Sequence, residues 1–169
     1  GTVILHISPE AAAGGVLADW GADVVKIELV GRQDFMRDAV MLHGVALDDR
    51  GRDWIYAAVN RNKRALAIDI TSEAGRPIFR RMIEQADVFL QSLRPGLADR
   101  IGLGPERVRG RNPRLVYCSV GAYGHVGPLT QEPGYDALMQ AAGGLISMTG
   151  ESGRPGARVG SSLIDMGTG

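Results

Sequence analysis

A single cysteine, Cys118, stands among 169 residues, so the chain can form neither an internal disulfide nor a thiolate metal cage. Such cysteine usage fits a reducing cytoplasm. The three histidines, His6, His43 and His125, show no metal-ligand spacing. An excess of one charge is also missing: Lys+Arg and Asp+Glu both number 19, for a formal net charge of +0. That balance argues against a protein that coats nucleic acid or an anionic membrane, while leaving room for one small anion held by a local group of arginines. No apolar run approaches the ~20 residues of a membrane span, and the start does not read as a signal peptide. There is no G-x-S-x-G nucleophile elbow and no G-x-x-x-x-G-K-[ST] phosphate loop. Aromatic residues are scarce at 5%.

What is present suits one α/β domain. Hydrophobic residues make up 44%, enough for a core, and the length is near the ~150 residues expected per domain. The 24 glycines fall between apolar runs, where tight turns and close backbone approaches occur. Thr2-Val-Ile-Leu-His-Ile7 reads as a buried strand, and Ser8-Pro9-Glu10 as a helix start with a Ser cap, an early proline and an acid. A helix over 11–20 ends at Gly21, and Asp23-Val-Val-Lys-Ile-Glu28 follows as a second strand, giving a βαβ unit. Residues 31–61 read as an irregular polar excursion with a short helix near 35–40. Strands are expected over 65–69, 88–91 and 115–119. A helix with Ile78, Met82, Ile83 and Ala86 on one face lies between the first two, its start obscured by Pro77. Short helices are expected over 97–101 and 105–108, and another over 135–142. The alternation predicts a doubly wound, Rossmann-like parallel sheet with flanking helices, which binds ligands at the carboxyl ends of its strands. The apolar run begins directly after Gly1, and the sequence stops at Gly169 where a new element starts. Both ends lead us to expect a piece of a longer chain.

Candidate chemistry is thin on physical grounds alone. Glu28 could serve a dinucleotide ribose, but the first βα turn, Ser8-Pro-Glu-Ala-Ala-Ala-Gly-Gly15, lacks the early glycines of that fingerprint, and Glu10 would repel a pyrophosphate. A nucleotide-dependent oxidoreductase is therefore the weaker reading. Residues 94–114 carry Arg94, Arg100, Arg107, Arg109, Arg111 and Arg114. A solvated helical face accounts for most of them, whereas Arg94 and Arg100 follow a strand's carboxyl end and could hold phosphate. Cys118 reads as core. Asp165, taken alone, is far more ordinary as a helix N-cap than as a nucleophile.

Six segments in order resemble the CaiB/BaiF (class III) coenzyme A transferases. They are Ala18-Asp-Trp-Gly-Ala-Asp-Val-Val-Lys-Ile-Glu28, Asn60-Arg-Asn-Lys-Arg-Ala-Leu66, Ala86-Asp-Val88 with Arg94-Pro-Gly96, Asn112-Pro-Arg-Leu-Val-Tyr-Cys-Ser119, Pro133-Gly-Tyr-Asp136 and Asp165-x-Gly-Thr-Gly169. The resemblance implies that residues 1–169 are the N-terminal part of a transferase large domain, completed in an interlocked homodimer. It implies transfer of CoA from an acyl-CoA to a carboxylic acid, with the thioester as substrate and no permanently bound cofactor. Asp165 takes the place of the family's nucleophile. His6, Ser8 and Pro9 match the CoA-contacting first turn, Ile68, Asp69 and Thr71 the adenine-side wall, and Ser92, Leu93 and Arg94 the loop after the fourth strand. Arg100 matches a phosphate-binding arginine, and Gly121, Ala122, Tyr123 and Gly124 line the approach to the thioester. Leu29, Thr71 and Gly121 replace basic residues of some formyl-CoA transferases, so phosphate contacts are fewer or come from elsewhere. The racemase branch of the same fold pairs the aspartate with a histidine at the position of Tyr135. A phenol of pKa about 10 is a poor acid/base there, which favours transfer. Because the family's active-site glycine-rich loop lies further along the chain, this stretch alone is expected to lack full activity, or to be inactive.

Overall fold

The computed structural model describes residues 1–8, 12–31, 34–38 and 54–169. Five strands, β1 (Val3–Ile7), β2 (Asp23–Glu28), β3 (Arg64–Ala67), β4 (Val88–Gln91) and β5 (Val116–Ser119), form one parallel sheet in the order β3-β2-β1-β4-β5. The helices are α1 (Ala12–Asp19), α2 (Trp54–Val59), α3 (Gly75–Gln85), α4 (Leu97–Arg100), α5 (Pro105–Arg111), α6 (Asp136–Ala142) and α7 (Leu163–Thr168), with 3-10 turns at Phe35–Asp38 and Ile146–Met148. Chain order reverses across β1, with β2 on one side and β4 on the other. That is the topological switch point at which such sheets open a crevice. None of the described helices is long and apolar enough to cross a membrane.

The two faces of the sheet differ in chemistry, and side-chain alternation along the strands explains it. Leu5, Ile7, Val25 and Ile27 share one face with Phe89, and they pack under Phe79 and Ile83 of α3 and Val108 of α5. Phe89 meets Phe79 and Tyr117 edge-on, with ring centroids 6.0 and 5.4 Å away, the arrangement that aromatic quadrupoles favour. Ile4 and Val24 occupy the other face with Ala18 of α1. Two residues further along, that face turns polar: His6 and Lys26 stand side by side in register, both buried. Lys26 is neutralised by an ion pair with buried Asp34. Gly15 lets α1 approach α2, because a Cβ there would come within 2.8 Å of the Val59 carbonyl oxygen.

The expected strands and most helices are present, with shifted ends. Strand β3 is Arg64–Ala67 rather than 65–69, because Asp69 leaves the ladder to build a turn. Pro77 sits in the first turn of α3, where its missing N–H has no intrahelical partner to lose. Helix α5 runs to Arg111, beyond the expected 108, and α7 follows Ser162. The excursion of 31–61 was expected to be irregular, but it contains α2. Six residues are too few for a periodicity signal, and the helix is held by tertiary contacts of Tyr56. The proposed start at Pro9, Glu10 and Ala11, residues 39 and 40 of the expected short helix, and His43 lie outside the described residues.

Asn112 explains one of the motifs. Its buried side-chain amide donates to the carbonyls of Ile83 (3.0 Å) and Ala86 (2.8 Å), closing the C-terminal turn of α3. Its Oδ1 accepts from the N–H of Arg114 at 3.2 Å. Asn112→Ala strands these carbonyls beneath α5 and is expected to cost about 2 kcal/mol, read as a lowered urea midpoint with unchanged slope.

Candidate functional site

The carboxyl ends of β1, β4 and β5 form a polar row. Ile7 is in register with Gln91, and Gln91 with Ser119. Immediately beyond, the hydroxyls of Ser8 and Ser92 hydrogen-bond to each other, tying the first βα turn to the loop after β4. Gln91 is buried; its Nε2 donates to Ser119 Oγ (2.7 Å) and its Oε1 accepts from the N–H of Leu93 (2.7 Å). One amide thus fixes the loops after β4 and β5 relative to one another. The Ser8 hydroxyl, expected to cap the first helix, is paired with Ser92 among the described residues.

Asp165 is the third residue of α7 and remains exposed. It is not the cap of that helix: the N-cap is Ser162, whose side chain makes no capping bond. Capping falls to Asp136, at the start of α6. Its buried Oδ2 accepts the N–H groups of Ile164 (2.8 Å) and Asp165 (3.3 Å), while Oδ1 accepts from Gln140 Nε2. Gln140 also donates to the Ser161 carbonyl at 3.2 Å and accepts from the N–H of Val159 at 2.9 Å. Two polar side chains one turn apart on α6 therefore clamp the segment that delivers Asp165. The far end of α7 reaches the first βα unit, with Gly169 against Ala12 and Ala13. Partial shielding by surrounding protein, followed by the charge of Asp136, raises the pKa of Asp165 above the ordinary carboxylate value. A carboxylate so placed is more basic than a free one, which strengthens it as a nucleophile.

The other candidates divide into two groups. Ser8, Ser92 and Leu93 are buried or half-buried at the row just described, while Arg94, Gly121, Ala122 and Gly124 are exposed above it and Tyr123 is half-buried. Gly134 seats that last loop, since a Cβ there would fall 2.0 Å from the Ala122 methyl. His6 is fully buried under α1 and near the side chain of Lys63, so it supports the turn from beneath. Pro9 lies outside the described residues. Ile68 is core. Asp69 folds back on Thr71, accepting from its hydroxyl (2.6 Å) and its N–H (2.9 Å), which lowers the Asp69 pKa. Thr71 and Arg100 open onto a cavity of about 290 Å³ between α3 and α5 that does not include Asp165. Cys118 is half-buried in β5. Tyr135, at the position of the racemase histidine, is exposed.

Sequence reasoning gave Asp136 and Gln140 no role, although their i, i+4 spacing was a usable sign of one helix face. Gln91, the polar end of an otherwise apolar strand, was a similar sign.

The engagement of Glu28 within the protein weighs against the dinucleotide alternative. Its Oε2 accepts from Arg37 Nε at 3.0 Å, and its Oε1 accepts from Arg37 Nη2 and the Tyr56 hydroxyl, both at 2.7 Å. The Arg37 guanidinium lies over the Tyr56 ring, 4.1 Å from its centroid. With three of its roughly four acceptor sites taken within the protein, this carboxylate is a poor partner for a ribose. The Arg37 hydrogen bonds, outweighing burial, lower the Glu28 pKa from 4.5 to about 2. A depressed carboxylate pKa contributes stability that is complete above 4.5 and drains away as the pH falls towards 2. Because Arg37 is more than a third exposed, we expect about 2 kcal/mol of this kind. Glu28→Gln should flatten that acid limb in urea titrations between those two values and lower stability at neutral pH.

Residues 6–169 match the family described as CoA-transferase family III. The chain is 38% identical over 157 residues to an acyl-CoA transferase of Fusarium pseudograminearum, covering 91% of this chain and 34% of that protein. It is 37% identical over 152 residues to the acetyl-CoA:oxalate CoA-transferase of Acetobacter aceti, and 36% over 154 residues to the succinyl-CoA:glutarate CoA-transferase of Homo sapiens. These two matches cover 89% and 90% of this chain and 38% and 34% of those proteins. It thus spans little more than a third of the length of these curated relatives. Among solved structures, a CaiB/BaiF family protein from Brucella suis superposes with a TM-score of 0.89 at 33% identity, over 98% of this chain and 44% of that one. Rv3272 from Mycobacterium tuberculosis gives 0.82 at 32% identity, over 98% and 46%. A parallel sheet in this strand order, a polar row at its switch point and a match over nearly the whole sequence agree: the chain belongs to CoA-transferase family III, the CaiB/BaiF group.

Proposed function

We propose that the protein transfers CoA from an acyl-CoA donor to a small carboxylic acid, with Asp165 as the covalent acceptor. The Asp165 carboxylate attacks the donor thioester carbonyl and expels CoA thiolate, leaving a mixed anhydride. The thiolate attacks the aspartyl carbonyl of that anhydride, releasing the donor acid as carboxylate and leaving an aspartyl-CoA thioester. An acceptor carboxylate attacks the thioester and again expels thiolate. Attack of that thiolate on the acceptor's acyl carbonyl then yields the new acyl-CoA and restores Asp165. Charge and atoms balance at each step, and the thioester energy is kept. The observation that carries the reading is the clamp on α7. Asp136 and Gln140 relieve Asp165 of any capping duty and present it, exposed and with raised basicity, on a helix docked against the first βα unit. The relatives' activities are consistent with this chemistry. Ser8, Pro9, Ser92, Leu93 and Arg94, with the Gly121–Gly124 loop, are the proposed CoA contacts near the thioester. Ile68, Asp69, Thr71 and Arg100 are proposed for the nucleotide end, and His6 supports the first turn from below. On this reading residues 1–169 are the N-terminal part of the large domain of a cytoplasmic homodimer that holds no permanent cofactor.

Trapping tests it. The intact protein is incubated with acetyl-CoA or succinyl-CoA, quenched with hydroxylamine, and mapped by mass spectrometry; an aspartyl hydroxamate is expected at Asp165. A hydroxamate elsewhere, or none with either thioester, overturns the assignment. Exchange of the α-proton in deuterated water without an acceptor acid would point to the racemase.

A further inference from the structure

The partners of Gln91 dictate which way its amide faces. The backbone N–H of Leu93 can only donate, so the atom that meets it at 2.7 Å is the carbonyl oxygen Oε1. The NH₂ group therefore faces Ser119, 2.7 Å away. An amide nitrogen donates and does not accept, so the Ser119 oxygen must accept there, and the proton of its own hydroxyl points away from Gln91. The backbone holds the pair in place. Gln91 and Ser119 are in register at the carboxyl ends of β4 and β5, and the N–H of Val120 donates to the Gln91 carbonyl at 2.9 Å. Gln91 is buried, Ser119 is half-buried, and no other hydrogen bond engages the Ser119 hydroxyl among the described residues. A hydroxyl that already accepts from an amide is also polarised into a better donor. The result is a donor offered at the carboxyl edge of the sheet, where ligands of this architecture bind.

Resting on the CoA-transfer reading above, we infer that Ser119 donates a hydrogen bond to a carbonyl oxygen of the bound acyl-CoA, and that Gln91 is the positioning residue that turns the Ser119 proton outward. The polar row selects a carbonyl over an anion. Ile7, Ser8, Gln91, Ser92 and Ser119 carry no charge, so a phosphate or carboxylate would be desolvated there without a cation to offset the loss. A neutral carbonyl needs one donor and brings no charge. The Gly121–Gly124 loop starts two residues beyond Ser119, which puts the donor at the root of the loop proposed to line the approach to the thioester. An acyl-CoA offers two kinds of carbonyl: that of the thioester, and those of the amides in the arm leading to it. The first gains negative charge when it is attacked, so a donor there lowers the barrier. The second is held equally in the ground and transition states, so a donor there tightens binding alone.

The test compares Ser119→Ala, Ser119→Thr and Gln91→Glu in the intact protein. Binding of free CoA is measured by calorimetry, and acylation of Asp165 by acetyl-CoA or succinyl-CoA is followed as hydroxamate formation against thioester concentration. Ser119→Ala is expected to cost ~10-fold or more in one readout. A thioester contact shows as a lower limiting rate with free CoA bound as before; an amide contact shows as weaker CoA binding and a higher half-saturation at an unchanged limiting rate. Ser119→Thr keeps the hydroxyl and should stay within about threefold of the unmodified protein. Gln91→Glu tests the orientation. Its carboxylate still accepts from Leu93, but its other oxygen now accepts from Ser119, turning the hydroxyl proton inward. This variant should reproduce the Ser119→Ala loss with Ser119 in place, and combining the two should change that readout by no more than about twofold. Losses that multiply, full performance of Gln91→Glu, or Ser119→Ala within about twofold in every readout with the circular dichroism unchanged, each overturn the inference. If Gln91→Glu does not fold, the contrast at Ser119 decides alone, and equal losses in the Ala and Thr variants overturn it. All of these results leave the hydroxamate at Asp165 of the unmodified protein standing. Its absence, together with failure to bind CoA, would sink the CoA reading itself.

Discussion

Asp165→Asn is expected to reduce CoA transfer by the intact protein roughly a thousandfold or more while leaving its thermal midpoint unchanged or slightly raised. The two halves of this expectation have separate causes. Activity is lost because an amide oxygen cannot attack a thioester and form an anhydride. Stability is kept because Asp165 does not hold its helix: the N–H groups of Ile164 and Asp165 are satisfied by Asp136, and Asn retains both donors. The sign of the pKa shift agrees. A carboxyl whose pKa is raised in the folded state ionises at a cost to folding, paid as the pH rises through the interval between its unfolded and folded values. Removing that charge cannot destabilise the protein above the interval, although the slight favour an acid enjoys in a helix's first turn is forgone. Asp165→Glu gives a further check. It keeps the carboxylate but displaces it by one methylene, and should lose most of the activity without losing the fold. A variant that unfolded together with its activity would return Asp165 to the role of structural acid.

The sheet was legible because β1 and β2 are short runs rich in β-branched residues, separated by a helix that stops short of Gly21. The Ile4, Leu5, Ile7 and Val24, Val25, Ile27 pattern requires a strand covered on both faces. The same pattern left Lys26 without a reading, and the structure places it beside His6 at the buried polar end of one face. Glu28 illustrates the reverse case. Its position at the end of β2 suits a ribose, and only the structure reveals that Arg37, nine residues on, and Tyr56 have already claimed it. The arginines were legible individually and misleading as a run. Read along 94–114 they resemble a solvated face. In space Arg107 and Arg111 turn towards Arg76 and Arg80 of a different helix, while Arg109 and Arg114 do not line the cavity between the two helices. Helix-face spacing held this information, but which two faces meet is decided by the packing of Phe79, Ile83 and Val108 on the sheet.

The proposed nucleophile could be named only through resemblance, because an aspartate near a helix start is chemically ordinary. What makes Asp165 distinctive is the division of labour with Asp136, 29 residues away in sequence, and no local pattern signals that.

That division of labour predicts the second large effect. Asp136→Ala removes the acceptor for two helix N–H groups and leaves Gln140 without its carboxylate partner, at a buried position. We expect a loss of about 3 kcal/mol and, at temperatures where the protein stays folded, a fall in kcat of about a hundredfold, as α7 is no longer held in register. Asp136→Asn separates position from charge. Its carbonyl oxygen can still accept from Ile164 and Asp165, but its NH₂ group now confronts Gln140 Nε2. Gln140 cannot simply flip its amide, because its Oε1 already accepts from Val159. A smaller stability cost of about 1–2 kcal/mol follows. With the neighbouring negative charge gone, one of the two causes that raise the Asp165 pKa disappears, so the acid limb of kcat/KM should move to lower pH in Asp136→Asn. A merely structural Asp136 would lower the whole profile without displacing that limb. An unmoved limb alongside a normal yield of hydroxamate at Asp165 would therefore remove Asp136 from any electrostatic part in the reaction and leave it as a cap.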